Sequence, residues 1–320
     1  MPFRPTFACL WCGTAHAARG PDDLEGWAQL CPDCLGRAGE NPFLRFRLRD
    51  ALKERAAAGE APASGESPMA GETPARVEPA LALPGAVVSD VLDVADDDAE
   101  MLAYYEARAP EYDDWYLRRG RYARGPIDDM AWTSDLDAAT LWLDGLGLGG
   151  RIVELAAGTG WWSPLLATRG ELWCYDGNPA PLERARERLV AHDLRAHLHV
   201  RDAWAEPEFA ADTLFAGFWL SHVPRARLAG FLELARRWLK PGGTFAFIDS
   251  RYEPRMSAVD HRHDPAAETT LRRLDDGREF TIPKVFYEPA ELEAALLAAG
   301  FQTATVTVTP RFFLLGRATA

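Results

Sequence analysis

The chain has 320 residues, 48% of them apolar and 26% charged, a globular composition with room for about two domains. Its 35 basic side chains face 48 acidic ones, a formal net charge of −13. That balance argues against nucleic acid and for a small or non-anionic substrate, because replacing counterions on phosphate requires a basic surface. No run of about 18 apolar residues occurs, so no membrane-spanning helix is expected. The first residues lack a signal peptide's apolar core and cleavage site, so a cytoplasmic protein is expected.

The first region, residues 1–55, carries four of the five cysteines. Cys9 and Cys12 form one Cys-x2-Cys pair, Cys31 and Cys34 the other, with 18 residues between the pairs. This is the spacing of a four-thiolate zinc ribbon. Four thiolates close the tetrahedron and leave no position for water, so one structural zinc per chain is expected. Residues 41–55 read as a short basic amphipathic helix. It either closes the ribbon's core through Phe43, Leu44 and Leu48 or makes a partner or nucleic-acid contact, so a protein partner for the ribbon is left open. Residues 56–97 are rich in Ala, Pro, Gly and Glu and have no aromatics. Such a segment buries too little apolar surface to offset its ordering entropy, and is expected to be a flexible acidic linker.

From residue 98 to 320 helix-like and strand-like segments alternate, the pattern of an α/β domain with a parallel sheet. Residues 101–116 predict a helix broken near Pro110. A second helix spans 128–146, with Trp132, Leu136, Ala139 and Leu143 at helical spacing. Strand 151–156 runs into a Gly-rich turn and a helix over 161–168. There follow a strand at 171–175, a helix at 180–192, strands at 197–200 and 213–219, a helix at 225–239 and a strand at 244–249. After an irregular stretch come a strand near 280–286, a helix at 289–299 and strands at 304–308 and 312–315. Cys174, inside a strand, reads as a small buried apolar residue.

The segment from Val153 to Gly160 holds the strongest signal. Gly158 and Gly160 let a ligand approach the backbone of a turn that opens a helix. A dinucleotide site wants a third glycine, which is absent, and Trp161 and Trp162 crowd the pyrophosphate position. Asp176, closing the next strand, offers two side-by-side acceptors to ribose hydroxyls. Asp202 is placed to accept from an adenine amino group, with Ala203 against the ring and Trp204 beside its face. Trp219 lies at the other end of the pocket, in Phe218-Trp219-Leu220-Ser221-His222.

Glu154-x-Ala156-x-Gly158-x-Gly160, Asp176, Asp202-Ala203 and Leu239-Lys240-Pro241-Gly242-Gly243 together resemble the ordered motifs of class I S-adenosylmethionine (SAM)-dependent methyltransferases. The resemblance covers about residues 101–320. It implies a Rossmann-like α/β fold with seven strands in the order 3-2-1-4-5-7-6, strand 7 antiparallel. It also implies that Glu154 and the backbone near Ala156 hold the methionine amino group of SAM. Ala156 departs from the glycine common at its position. The segment Tyr104–Asp113 resembles the lid of small-molecule members, which places Tyr112 over the cofactor.

Methyl transfer requires an aligned nucleophile and, for a hydroxyl or acidic carbon, a proton acceptor. His222, after the fourth strand, is the candidate base; the other reading bonds its ring to backbone. Tyr105, Trp161, Asp249 and Arg251 read as residues that shape the pocket. His261 and His263 lie in a polar loop without a third spaced ligand and are expected to be solvated. A small-molecule methyl acceptor is the reading, with a zinc-ribbon RNA methyltransferase as the alternative. Against the alternative, the Asp/Asn-Pro-Pro-Tyr pattern of amino-group methylases is absent after the fourth strand.

Overall fold

The computed structural model describes residues 6–8, 15–17, 96–258 and 260–320. The chain divides into two compact units, Met1–Val88 and Ser89–Ala320. In the first, strands β1 (Thr6–Ala8) and β2 (Ala15–Ala17) pair antiparallel, with Ala8 opposite Ala15. Cys9, Cys12, Cys31 and Cys34, the basic segment 41–55 and the linker up to residue 95 lie outside the described residues.

The second unit begins with α1 (Asp96–Arg108), a 3-10 turn (Ala109–Glu111) and α2 (Asp113–Leu117). The break falls at Pro110, as the sequence predicts, because proline removes a helical N–H. A second 3-10 turn (Gly120–Tyr122) leads to α3 (Pro126–Gly145). The chain then alternates through β3 (Gly150–Leu155), α4 (Ser163–Ala167), β4 (Gly170–Asp176), α5 (Pro179–Val190), β5 (His197–Val200) and β6 (Ala211–Gly217). A 3-10 turn (Leu220–His222), α6 (Arg225–Arg237) and β7 (Leu239–Ser250) follow. The C-terminal part comprises β8 (Arg262–Asp264), β9 (Thr269–Arg273), β10 (Glu279–Pro283), α7 (Pro289–Ala298), β11 (Thr303–Val308) and β12 (Phe313–Thr319).

Seven strands form one sheet in the order β11-β12-β7-β6-β3-β4-β5. Numbering only these strands along the chain gives 3-2-1-4-5-7-6 from the β5 edge. β12 is antiparallel to both neighbours, and the pairs among β3 to β7 are parallel. Covered on both faces, the central strands bury nearly every side chain, Ile152, Val153, Leu214, Phe215, Phe245 and Phe247 among them. On one face α6 packs through Leu228, Phe231 and Leu232. On the other, Trp132 of α3 meets Phe312 and Phe313 edge-on. Strand order reverses between β3 and β6, so a crevice opens at their C-terminal ends, where ligands bind in open α/β sheets.

Two expectations are corrected here. The stretch between β7 and β10 is not irregular throughout, because β8 and β9 join β10 in a separate antiparallel sheet. His263 in β8 and His261 just before it are half-buried rather than solvated. His261 Nδ1 accepts from the Arg272 guanidinium at 2.6 Å, and His263 Nδ1 lies 3.0 Å from the Thr269 carbonyl. Among the described residues no cluster of His, Cys, Asp or Glu suits a metal, and no helix is long and apolar enough to cross a membrane.

Candidate active site

The crevice at the strand switch point holds a cavity of about 680 Å³, part of it open to solvent. Two strained residues flank it. Ala156 after β3 and Phe218 after β6 adopt φ of 51° and 59°, a conformation that costs an L-residue about 1–2 kcal/mol. Both line the cavity. Turning the chain sharply out of each strand exposes backbone to the crevice. Ala156 sustains the turn that glycine serves elsewhere, at the cost of that strain.

The two glycines of the turn differ in role. A side chain on Gly158 (φ +55°) would meet only the Tyr112 ring, at 3.7 Å, so packing leaves space there and the cavity side stays open. On Gly160 (φ +73°) a Cβ would stand 2.7 Å from that of Ala185 in α5. Gly160 is therefore a packing residue between the turn and α5 and does not line the cavity. Nor does Glu154, which is 1% exposed. The Ser163 hydroxyl donates to its carboxylate at 2.6 Å and the Cys174 thiol lies at 3.5 Å. Burial pushes its carboxyl up to about 7. Cys174 is buried, as expected, and is spent on supporting Glu154.

Asp176 ends β4 and forms part of the cavity wall. Its Oδ2 accepts from the Gly158 N–H at 2.8 Å and its Oδ1 from the Asn178 N–H at 2.9 Å. These bonds fix both oxygens in place and leave each a free lone pair. Burial, ahead of the opposing hydrogen bonds, pushes its carboxyl up to about 6. Asp202 accepts from the Trp204 N–H at 2.7 Å, and burial raises its carboxyl too. Ala203 and Trp204 complete this wall, with the Arg227 guanidinium 4.0 Å from the Trp204 ring centroid.

The opposite wall comes from α1, the turn after it and the 3-10 turn after β6. Tyr105, Tyr112, Trp219 and His222 line it. His222 is 6% exposed. Its Nδ1 lies 2.7 Å from the Pro283 carbonyl and its Nε2 2.7 Å from the Tyr105 hydroxyl. A carbonyl can only accept, so Nδ1 carries the proton and Nε2 accepts from Tyr105. Both readings of His222 therefore hold at once: one ring nitrogen is bonded to backbone, the other faces the site. Burial, then the nearby Lys284 ammonium, holds its imidazole well below the usual range, so it is neutral.

Of the residues the sequence singles out for the site, Ala156, Gly158, Asp176, Asp202, Ala203, Trp219, Tyr112 and His222 meet in one cavity. Asp249 stands behind it, accepting from the Ser221 N–H at 2.9 Å. Arg251 turns away and donates to the Thr309 carbonyl. Trp161 stacks on Tyr116, centroids 4.2 Å apart. Sequence reasoning missed Asp98, Met101 and Leu102 of α1, which also line the cavity. A Cβ on Gly177 would stand 2.6 Å from Leu102, so α1 lies directly on the rim. The one available signal was position: these residues immediately precede the tyrosine-rich lid.

The residues fit the cofactor that the motifs imply. Among the described residues neither Asp176 nor Asp202 is ion-paired, although both face the cavity, and the Trp219 indole N–H in its wall has no partner. Buried acceptors in that state suit hydroxyl and amino donors on a ligand.

A methyltransferase-domain family model matches residues 152–243. No curated protein matches the chain. Among solved structures, a DhpI–SAH complex is 30% identical over 69% of this chain and 95% of its own, with a TM-score of 0.55. A DhpI–SAM–HEP complex is 31% identical over 70% and 99%, with a TM-score of 0.56. The CcbJ methyltransferase of Streptomyces caelestis, 21% identical over 68% and 98% with a TM-score of 0.50, shares the fold. With the switch-point cavity, the strand order and these relatives together, the chain belongs to the class I SAM-dependent methyltransferases.

Proposed function

We propose that this enzyme methylates a small molecule. The observation that carries the reading is the burial of the reacting side of the site. His222 and the neighbouring Arg108 and Lys284 are all buried, so an acceptor must enter the protein to meet them. When bound, SAM supplies a methyl group on a sulfonium centre, ready for in-line displacement. Asp176 and Asp202 hold the ribose and adenine ends, and the backbone opened by Ala156 and Gly158 takes the methionine end. Glu154 acts beneath the turn, keeping it in position through Ser163. His222 Nε2, with Tyr105 as its present donor, receives the acceptor's proton. Tyr112 closes the cavity above Gly158, excluding water.

The test is transfer of labelled methyl from SAM, offered separately to a small-metabolite fraction and to RNA. Label in small molecules is the expected result, and label in RNA alone would overturn the reading.

For the N-terminal unit we propose a structural zinc on Cys9, Cys12, Cys31 and Cys34. The support is the β1–β2 pairing, since the six residues joining these strands include Cys9 and Cys12. Metal analysis should find one zinc per chain, lost when Cys9 and Cys12 are replaced by serine; zinc-free wild-type protein would refute it.

A further inference from the structure

Arg108, the last residue of α1, is 5% exposed. Its guanidinium makes no hydrogen bond or ion pair among the described residues, and its Nε is a buried donor without a partner. Four aromatic rings stand around it: Tyr112 at 4.4 Å, Tyr104 and Tyr122 at 5.6 Å and Tyr105 at 5.9 Å from its Cζ. Ring faces attract a cation but satisfy few of the five N–H groups of a guanidinium. The hydroxyls of Tyr104 and Tyr122 are likewise buried and unpartnered.

A second buried guanidinium belongs to the same cluster. Tyr122 touches His261, centroids 6.0 Å apart, and His261 accepts from Arg272. Arg272 is 7% exposed and, among the described residues, its side chain otherwise bonds only to the Ser257 hydroxyl and leaves its Nε unpartnered. Beyond Tyr105 and His222 lies a third cation, Lys284, whose ammonium donates to the Ser221 and Ser250 hydroxyls. Burial pushes that ammonium down to about 7, with Arg272 and Arg108 adding to the shift and Asp249 opposing it. No carboxylate among the described residues lies within ion-pair distance of any of the three. Three basic groups gathered in a protein interior without an ion-paired carboxylate repel one another when charged and have lost their hydration. An anionic ligand would complete such a cluster.

Building on the small-molecule reading, we propose that Arg108 and Arg272 form the receptor for an oxyanion carried by the methyl acceptor, a carboxylate or a phosphoryl group. The planar guanidinium suits both through paired N–H donors, and the free tyrosine hydroxyls supply further donors. The receptor lies directly behind Tyr105 and Tyr112, so an acceptor held there is delivered to the wall that carries His222. Lys284 also lines a second cavity with Tyr252, His263 and Phe286. An anion seated among these groups also offsets what their charge adds to burial in holding His222 neutral, so binding the acceptor strengthens the base.

The test uses the full chain saturated with S-adenosylhomocysteine, titrated calorimetrically with inorganic phosphate, methyl phosphate, acetate and propionate. At least one class should bind stoichiometrically, phosphoryl and carboxylate arms deciding which. Arg108→Met and Arg272→Met should each weaken that binding at least about tenfold and leave S-adenosylhomocysteine affinity unchanged. Arg108→Met should also raise the melting temperature of the ligand-free protein, because it replaces an uncompensated buried charge by an apolar chain of similar length. A structural arginine gives the reverse: a lowered melting temperature with anion binding intact. That result, or no anion binding to the wild type, overturns the proposal. Loss of S-adenosylhomocysteine binding in the wild type would instead count against the cofactor site, and the anion titration on the ligand-free chain would still decide the receptor.

Discussion

Asp176→Ala is expected to lower affinity for S-adenosylhomocysteine by about 10²- to 10⁴-fold. Two hydroxyls bonded to one carboxylate contribute roughly 1.5–3 kcal/mol each, and each 1.4 kcal/mol is about tenfold in affinity. The carboxylate is already fixed by the Gly158 and Asn178 N–H groups, so binding a ribose costs it no ordering. Stability should respond differently and in a pH-dependent way. The carboxyl rises from 3.8 to about 6 on folding. For an acid raised on folding, its contribution to stability is fully present below the unfolded value and is lost as pH rises through the folded one. That rise corresponds to roughly 3 kcal/mol. At pH 8 the alanine variant escapes that loss, which offsets the two orphaned N–H groups at about 1–3 kcal/mol each. At pH 5 much of the compensation is gone. Calorimetry should therefore show weak binding at pH 8 with a melting temperature near that of the wild type, and a lower melting temperature than the wild type at pH 5. Unchanged affinity would remove Asp176 from the cofactor site.

His222→Ala is expected to reduce kcat by about 10²- to 10⁴-fold, the range of a positioned general base. S-adenosylhomocysteine affinity should stay within about threefold, less than one kcal/mol. His222→Gln tests the mechanism more closely. A glutamine oxygen can accept from the Tyr105 hydroxyl, restoring the wall, yet it cannot carry the proton away. Equal loss in both variants assigns proton transfer to the ring; recovery in the glutamine variant reduces His222 to positioning Tyr105. Because burial and Lys284 hold the imidazole well below its ordinary range, the ligand-free ring should show no protonation step between about pH 6 and 8 by NMR titration. A midpoint near the ordinary value would show that the ring is solvated and would weaken the assignment.

The sequence alone determined the parts of this enzyme whose physics is short-range. A strand, a small-residue turn and a helix start form one continuous segment, so the positions of Ala156, Gly158, Asp176 and Asp202 at the strand ends were legible from spacing. The strand order came with the motifs, and Pro110 marked the break in the lid because its missing N–H acts within one helical turn. Tertiary structure decided everything that depends on which distant residues meet. Gly160 resembles Gly158 in sequence, and only the approach of Ala185 makes it a packing glycine. The tautomer of His222 is set by Pro283, 61 residues away, and its other nitrogen by Tyr105, 117 residues away. Of the small sheet the sequence showed β10 alone; β8 and β9 were invisible because they are short and polar, and the sheet brings Arg272 to the tyrosine-lined Arg108. A charged residue on a helix reads as a solvated one until the fold encloses it, since burial and the absence of a counter-ion are properties of the packed interior and leave no trace in local spacing.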